Sequence, residues 1–463
     1  MRPPIQIPFV ARSRPFPTLL RRLVFKISVR FGRLFCFLRG VICKREVRAP
    51  TLVGTLALTG CALNLATDAG VDWRADVARA ESTPYYIDAT NTMLPVASAT
   101  GFSNVAVAGD FLNSGAIGVV IGNHYGTDRI LVPRQGNKRF ADQTLQRFPT
   151  PEALRNTEDA VAGDFRAAGS LDVVWVSSGT GHTVLYYENN GRGEFRETDR
   201  LPQCGAQRVA IFRNLATDAP SLLLACADGL RFLANNGHGS FTDESSRRLP
   251  ADTGIATDIV VSDLNQDGAP DLVVNGNAGI RIFLNHGDGT FQEKLNAIPR
   301  SARKEETRRI AVGDVNGDKC PDLYLANWRF LIADAALQDR LLINDCTASF
   351  RDRSSWLPAK RHLNSTAARF VDLNGDGHLD LVVGTFRNDT WGRRHDAPWL
   401  AYLNDGTGHF RDATAEVFPK GVVGNGRHIE VADFNGDGIP DLFLVSRGGP
   451  SLMLLGKIRA KGT

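Results

Sequence analysis

A unit of roughly 50 residues recurs along this chain, and the recurrence restricts the fold more than any other feature of the sequence. The clearest copy, residues 258–291, reads Asp-Ile-Val-Val-Ser-Asp-Leu-Asn-Gln-Asp-Gly-Ala-Pro-Asp-Leu-Val-Val and then, after a short gap, Ile-Arg-Ile-Phe-Leu-Asn-His-Gly-Asp-Gly-Thr-Phe. Its acidic loop begins at Asp263, and the equivalent positions elsewhere are Asp110, Asp164, Arg213, Asp314, Asp372 and Asp433. Successive positions are separated by 54, 49, 50, 51, 58 and 61 residues, so the chain holds seven copies, numbered 1 to 7 in chain order.

Each copy predicts four short strands. An alternating run ends at the first Asp, a Leu-Val-Val-type strand follows the acidic loop, and a third strand such as residues 280–284 leads through an Asn-x-Gly-x-Gly-x-Phe turn into the fourth. The 45 glycines and 22 prolines, with only 3 methionines, also favour turn-rich β structure. The sequence therefore predicts an all-β fold, a seven-bladed β-propeller of four-stranded antiparallel blades, over residues 84–463.

The ends of the repeat region predict how the ring closes. Residues 88–90 (Asp-Ala-Thr) match residues 412–414, where the fourth strand of copy 6 ends, and a proline follows each segment. The last copy stops after its third strand, near Leu455. We therefore expect residues 84–92 to supply the outer strand of the last blade, because a ring closed by both ends leaves no exposed sheet edge.

These motifs resemble the FG-GAP/VCBS family, whose repeats build the head propellers of integrin α-subunits and occur in many bacterial exported proteins. The resemblance covers roughly residues 84–456. The blade motif is specific in copies 4, 6 and 7 and degenerate in copies 1 to 3. The resemblance implies the propeller fold.

Three loops carry a full Asp-x-Asn-x-Asp-Gly-x-x-Asp motif. Positions 1, 3 and 5 direct oxygen ligands towards one centre, position 7 can add a backbone carbonyl, and position 9 closes the shell. Six to eight oxygens at about 2.3–2.6 Å suit Ca²⁺ better than the rigid octahedron of Mg²⁺. The expected calcium ligands are Asp263, Asn265, Asp267 and Asp271 in copy 4, Asp372, Asn374, Asp376 and Asp380 in copy 6, and Asp433, Asn435, Asp437 and Asp441 in copy 7.

Two alternatives can account for such loops. An EF-hand needs a bidentate Glu at position 12, but Val274, Val383 and Leu444 stand there, and no flanking helices are predicted. The other alternative is an Asx-rich turn without metal, against which the three full motifs argue.

The remaining copies depart from the motif. Copy 5 keeps Asp314, Asn316, Asp318 and Asp322, but Lys319 occupies the glycine position, so we expect a weakened calcium site. Copy 2 keeps only Asp164 and Asp172, copy 1 only Asp110, and copy 3 has Arg213 and Leu215. These three copies are expected to be metal-free, and the ions of the others to be structural.

A targeting segment precedes the repeats. Residues 44–61 comprise a basic region, a short apolar region and Leu-Thr-Gly-Cys, which resembles the lipobox of bacterial lipoproteins. We expect residues 1–60 to be a leader, Cys61 to be lipidated, and residues 61–83 to be a tether. Ala62 favours the outer membrane by the sorting pattern of that family. A plain secretory signal is the alternative. Residues 1–43 either precede the true translation start, which would then lie near Val41, or form a long native n-region.

Charge separates this leader from the rest. Residues 1–48 hold 12 of the 54 Lys and Arg but one of the 50 Asp and Glu, so the rest has an acidic excess of 7. A nucleic-acid partner is therefore not expected. No later window of 18 uncharged apolar residues occurs, so membrane contact through the lipid anchor alone is expected.

Four cysteines follow Cys61, and an even number in an exported protein favours disulfides. The first–second and third–fourth hairpins of a blade lie on one face, which brings Cys320 close to Cys346. Cys204 and Cys226 share the opposite face. The expected pairs are Cys204–Cys226 and Cys320–Cys346, with buried free thiols as the alternative.

The face opposite the acidic loops carries long loops rich in Trp and Arg, which suit an anionic glycan or a protein partner. The candidate ligand-face residues are Trp328, Arg329, Trp391, Arg393, Arg394, His395 and Trp399. The alternative is a solvated loop surface that binds no ligand. Two functions follow: a monomeric binding or scaffold module, or a lyase-like polysaccharide enzyme using His395 or His362. No nucleophile elbow, HExxH site or phosphate loop occurs, which favours the binder and leaves no predicted catalytic residue.

Overall fold

The computed structural model describes residues 84–95, 100–124, 126–134, 137–148, 156–177, 184–202, 204–213, 219–303, 306–328, 338–359, 363–388 and 394–457. All of them belong to the unit Asp68–Thr463. The predicted leader, Cys61 and the tether lie outside the described residues, as do Leu215, Arg329, His362, Trp391 and Arg393, and Arg394 is described by its backbone alone. Within the described ranges, no helix is long and apolar enough to span a membrane.

Short strands dominate the described chain. The first half contains β1 (Tyr86–Asp88), β2 (Thr100–Gly109), β3 (Gly118–Asn123), β4 (Arg129–Arg134), β5 (Asn137–Asp142), β6 (Thr157–Gly163), β7 (Asp172–Ser177), β8 (Val184–Asn189), β9 (Phe195–Leu201), β10 (Arg208–Phe212), β11 (Ser221–Cys226), β12 (Gly229–Asn235) and β13 (Phe241–Asp243).

The second half continues with β14 (Ala256–Ser262), β15 (Asp271–Gly276), β16 (Gly279–Asn285), β17 (Phe291–Glu293), β18 (Thr307–Gly313), β19 (Asp322–Asn327), β20 (Arg340–Asn344), β21 (Phe350–Asp352), β22 (Asn364–Val371), β23 (Asp380–Asn388), β24 (Arg394–Pro398), β25 (Leu400–Asn404), β26 (Phe410–Asp412), β27 (Val423–Gly424), β28 (Gly426–Ala432), β29 (Asp441–Pro450) and β30 (Leu452–Gly456). The described helices are single turns: α1 (Thr90–Met93), α2 (Thr144–Arg147), α3 (Ser245–Arg248), α4 (Thr414–Val417) and the 3₁₀ turn Ser354–Trp356.

The strands form an all-β propeller of four-stranded antiparallel blades, which confirms the predicted fold class at that level. Four sheets stand separately and contain β6–β9, β10–β13, β14–β17 and β18–β21. The strands β22–β27 form a six-stranded sheet, because β24 pairs with the end of β23 and with β27. The strands β1–β5 and β28–β30 form one eight-stranded sheet, because the start of β2 pairs with the end of β29. Hydrogen bonding thus produces six sheets where the repeat predicts seven separate blades.

The N-terminal strand completes the sheet that ends the chain. Strand β1 pairs antiparallel with β30, with Asp88 opposite Leu454 and Tyr86 opposite Gly456. The Thr90 hydroxyl then accepts the Met453 N–H at 3.0 Å. Thr414 accepts the Ala401 N–H in the same way, at 3.2 Å. The pairing expected for residues 84–92 is therefore present.

The core lies between neighbouring sheets. The second strands β3, β7 and β19 are buried along their whole length, because both of their faces are covered. One cluster joins the sheet β14–β17 to the sheet β18–β21 through Val273, Ile282, Leu323, Leu325 and Leu342. Continuous apolar runs such as Leu-Val-Val are the pattern expected for strands buried on both faces.

Candidate functional site

The last Asp of each motif opens a buried strand and is held by backbone N–H groups on both oxygens. The four residues Asp271, Asp322, Asp380 and Asp441 have no exposed surface. One oxygen accepts the N–H of the residue at loop position 2, at 2.9–3.1 Å. The other accepts an N–H at the end of the third strand, at 2.8 Å. Position 9 therefore closes the loop through backbone hydrogen bonds.

This burial changes the acidity of the same four groups. Burial raises the pKa of Asp271 and Asp441 to about 6, and that of Asp322 and Asp380 to about 7. The neighbouring carboxylates at positions 1 and 5 raise it further, while the two N–H groups lower it. A bound cation would favour the charged form, since it offsets both burial and like-charge repulsion.

The other loop carboxylates bond to their own loop. In copy 4, Asp263 accepts the Gly268 N–H at 2.9 Å, and Asp267 accepts the Ala269 N–H at 2.8 Å. The amide of Asn265 donates to the second oxygen of Asp267 at 2.8 Å. Copies 6 and 7 repeat these bonds through Asp372, Asp376, Asp433 and Asp437. These contacts give the loop the shape of an Asx-rich turn.

The donor set fits a hard divalent cation. Carboxylate and amide oxygens are the ligands that Ca²⁺ prefers. In copy 4, Asp263 Oδ1 is buried and lacks a hydrogen-bond partner among the described residues, which leaves an oxygen for a cation. Within the described ranges, one group of three acidic, Cys or His residues has its ligand atoms within 4.8 Å of one another. It consists of Asp318, Cys320 and Cys346. The three carboxylates of a full motif do not form such a group.

Copy 5 contains backbone strain at the position where the full motifs have glycine. Lys319 has φ of 71°, and the glycines at the same position in copies 4, 6 and 7 have φ of 85°, 91° and 82°. This left-handed conformation is sterically unfavourable for a residue with a Cβ. The loop still closes, because Asp314 accepts the Lys319 N–H at 2.8 Å.

Both predicted disulfides are confirmed. Cys204 bonds to Cys226 with a Cα–Cα distance of 5.4 Å, and Cys320 bonds to Cys346 with a Cα–Cα distance of 5.2 Å. The second bond joins the acidic loop of copy 5 to the turn after its third strand. Since its two sulfurs bond to each other, the cluster with Asp318 is not a thiolate metal site.

The predicted ligand face is only partly brought together. The assignment of Trp399 to it is wrong, because its side chain is 1% exposed and packs among Val382, Leu444 and other core residues. A Cβ added at Gly384 would lie 2.6 Å from this indole, so glycine makes room for the ring. Trp328 is half-buried, with the Arg308 guanidinium 5.8 Å from its ring centre. His395 is exposed on β24.

Sequence reasoning missed a buried charge network. Asp258 of β14 lies 3.3 Å from Arg208 of β10 and 3.2 Å from Arg309 of β18. Its second oxygen accepts the Ile310 N–H at 2.8 Å. Burial raises the pKa of Asp258 to about 6, even though Arg208 lowers it. The available signal was a charged residue within an otherwise apolar inner strand. This contact joins three successive sheets.

This geometry defines a class: a β-propeller in which three repeats carry an acidic Asp-x-Asn-x-Asp-Gly loop between their first and second strands. Comparison with known proteins places it more narrowly, because residues 220–274, 263–325 and 385–444 match the FG-GAP-like repeat. These three segments are thus similar to FG-GAP-like repeats, which confirms the resemblance read from the motifs.

Relatives are distant. Human cartilage acidic protein 1 is 22% identical over 413 residues, covering 78% of this chain and 59% of the human protein, so the chain matches less than two thirds of that relative. A crystal structure of BBS1N in complex with ARL6DN, soaked with lead, has a TM-score of 0.53 at 10% identity, covering 82% of this chain and 99% of that one. An Agrocybe aegerita lectin that recognises non-reducing terminal N-acetylglucosamine has a TM-score of 0.44 at 19% identity, covering 67% and 79%.

Proposed function

We propose that this protein is an exported, lipid-anchored propeller of seven blades, stabilised by calcium, that acts as a binding or scaffold module for a glycan or protein partner. The observation that carries this proposal is that the motif carboxylates accept hydrogen bonds within their own loops. They close their own loops through backbone N–H groups, as Asp263 does with Gly268. Carboxylates used in this way support the structure of their loops.

The count of seven blades rests on strand pairing. Strands β2–β5 pair in order, and β28, β29, β30 and β1 pair in order, so the eight-stranded sheet divides into two four-stranded sets. The six-stranded sheet holds a four-stranded set, β22, β23, β25 and β26, extended by β24 and β27. With the four separate sheets, this makes seven sets, one for each copy of the repeat.

Calcium at copies 4, 6 and 7 is supported by the shared loop geometry and the oxygen donor set. The residues that would hold it are the motif Asp and Asn side chains, and the ion would neutralise carboxylates that otherwise repel one another. It would thereby rigidify the first–second hairpin of each blade. Copy 5 would bind more weakly, because Lys319 adds a positive charge beside the ligands.

Two sets of observations support the proposed cellular location of the protein. FG-GAP-like repeats and two disulfides indicate an exported or extracellular protein. The lipid anchor at Cys61 and the outer membrane rest on the Leu-Thr-Gly-Cys motif. N-terminal analysis of the mature protein tests them: a mature chain beginning at an acylated Cys61 is expected, and any other start contradicts the anchor.

The partner-binding face would be the one opposite the acidic loops, where Trp328 and His395 lie. A glycan array that includes acidic polysaccharides, run beside an assay for lyase products, tests this. We expect binding without turnover, weakened in Trp391→Ala and His395→Ala. His238→Ala is the matched control, because it replaces an exposed histidine on the acidic-loop face. Turnover lost in His395→Ala would instead support the enzyme alternative, and binding unchanged in both ligand-face variants would contradict the proposed face.

A further inference from the structure

The acidic loop of copy 2 contains a cation supplied by the protein itself. Arg166 stands at position 3, where the full motifs have Asn, and it forms a two-pronged ion pair with Asp172 at position 9. Its Nε lies 3.0 Å from Asp172 Oδ2, and an Nη lies 2.7 Å from Asp172 Oδ1. Bidentate guanidinium–carboxylate pairs are among the strongest hydrogen-bonded contacts in proteins.

Further hydrogen bonds surround this ion pair. Asp172 is fully buried, and it also accepts the Asn189 N–H and the Tyr186 hydroxyl, both at 2.8 Å. The same Arg166 Nη donates to the Asn189 carbonyl at 2.7 Å. A buried carboxylate is costly unless a positive charge accompanies it, and here the guanidinium fills that role.

The guanidinium also replaces a contact made in the full motifs. In copy 4, the position 2 N–H of Leu264 donates to Asp271 at 3.0 Å. In copy 2, the corresponding N–H of Phe165 turns away and donates to the Gly163 carbonyl at 3.1 Å. Position 5 is Ala168, so this loop has no carboxylate where the full motifs have their second acidic ligand.

We infer that Arg166 takes the place of the metal ion in copy 2, so that the ring contains two kinds of acidic loop. One kind is held by a permanent internal charge, and the other by an exchangeable cation. The residues at positions 3 and 5 together then decide whether such a loop depends on calcium. The inference rests on the proposed calcium function of copies 4, 6 and 7, but copy 2 makes its own prediction.

Two substitutions test it, because Arg166→Asn together with Ala168→Asp completes the Asp-x-Asn-x-Asp-Gly-x-x-Asp motif over residues 164–172. In the full-length protein, calorimetric titration with Ca²⁺ should show one more bound ion than in the wild type. The double variant should melt lower than the wild type in EDTA and recover in Ca²⁺. A double variant that binds no additional ion would overturn the inference.

The single variant Arg166→Ala tests the role of Arg166 separately from the proposed calcium function of copies 4, 6 and 7. It should lower the melting temperature by roughly 5–10 °C in EDTA and by the same amount in Ca²⁺, because Ala168 provides no ligand with which the ion could replace the guanidinium. Arg196→Ala is the control, since it removes an exposed partner of Glu188 in the same sheet and should change little. An unchanged melting temperature in Arg166→Ala contradicts the inference. A wild type that binds no Ca²⁺ contradicts the proposed function. In that case the number of ions bound by the double variant still tests the role of Arg166.

Discussion

Thr90 and Met453 lie 363 positions apart in the chain and are joined by a hydrogen bond of 3.0 Å from the Met453 N–H to the Thr90 hydroxyl. The Thr90 N–H in turn donates to Asp88 Oδ1 at 2.9 Å. Thr414 makes the same two contacts, with Ala401 and Asp412. The N-terminal segment therefore has the chemistry of a fourth strand taken from the other end of the chain.

Replacing Thr90 by Val should weaken this closure. The change keeps the shape of the side chain but leaves the Met453 N–H buried without an acceptor, which typically costs about 1–3 kcal/mol. Urea unfolding of the full-length protein should show that loss. Thr92→Val is the control, because the exposed Thr92 hydroxyl donates only to the nearby Ala89 carbonyl. Deletion of residues 84–92 should abolish folding, and cooperative unfolding at an unchanged midpoint would contradict closure.

Chelation should destabilise the protein if copies 4, 6 and 7 bind calcium. At 100-fold excess over the dissociation constant, each ion adds about 2.7 kcal/mol. Differential scanning fluorimetry should therefore show a lower midpoint in EDTA, restored by Ca²⁺. Asp437→Ala should remove one ion from the titration, whereas Asp405→Ala, in the exposed turn of copy 6, should remove none. A midpoint that EDTA leaves unchanged would argue against occupied sites.

Lys319→Gly should stabilise copy 5. Lysine at a φ of 71° carries a steric penalty that glycine avoids, so a gain of about 1 kcal/mol is expected despite the greater freedom of the unfolded chain. Removing the positive charge should also tighten Ca²⁺ binding by this loop, which titration calorimetry can measure. Lys420→Gly is the comparison, because Lys420 lacks a positive φ and the change there should bring no gain. Equal effects of the two substitutions would show that strain at Lys319 is unimportant.

Asp258 should make stability depend on pH. Its folded pKa of about 6 exceeds an unfolded value of about 3.9, so the native state holds this proton more tightly. Its contribution is therefore greatest below about pH 4 and declines as the pH rises to about 6, by about 3 kcal/mol in total. Chemical denaturation between pH 4 and 8 should show this decline in the difference between the wild type and Asp258→Asn. Asp228→Asn, which replaces an exposed carboxylate, is the matched control.

Much of the architecture follows from spacing within one repeat. The four-strand pattern and the acidic loops lie within a single repeat, and the pairs Cys204–Cys226 and Cys320–Cys346 are 22 and 26 positions apart. Turn chemistry and alternating burial act over that range, so a single sequence displays them. The pairing of residues 84–92 was also readable, because Asp-Ala-Thr occurs twice.

Contacts between sheets were decided only by the tertiary structure. The sequence by itself determined the repeat, its strands and its loops, since these express local backbone preferences and short-range hydrogen bonds. It did not show that Trp399 is buried, that β2 pairs with β29, or that Asp258 meets two arginines from neighbouring sheets. Nor did it show that the charge of Arg166 points inward to Asp172. Each of these depends on how strands distant in the chain pack, and side-chain direction and burial are properties of that packing.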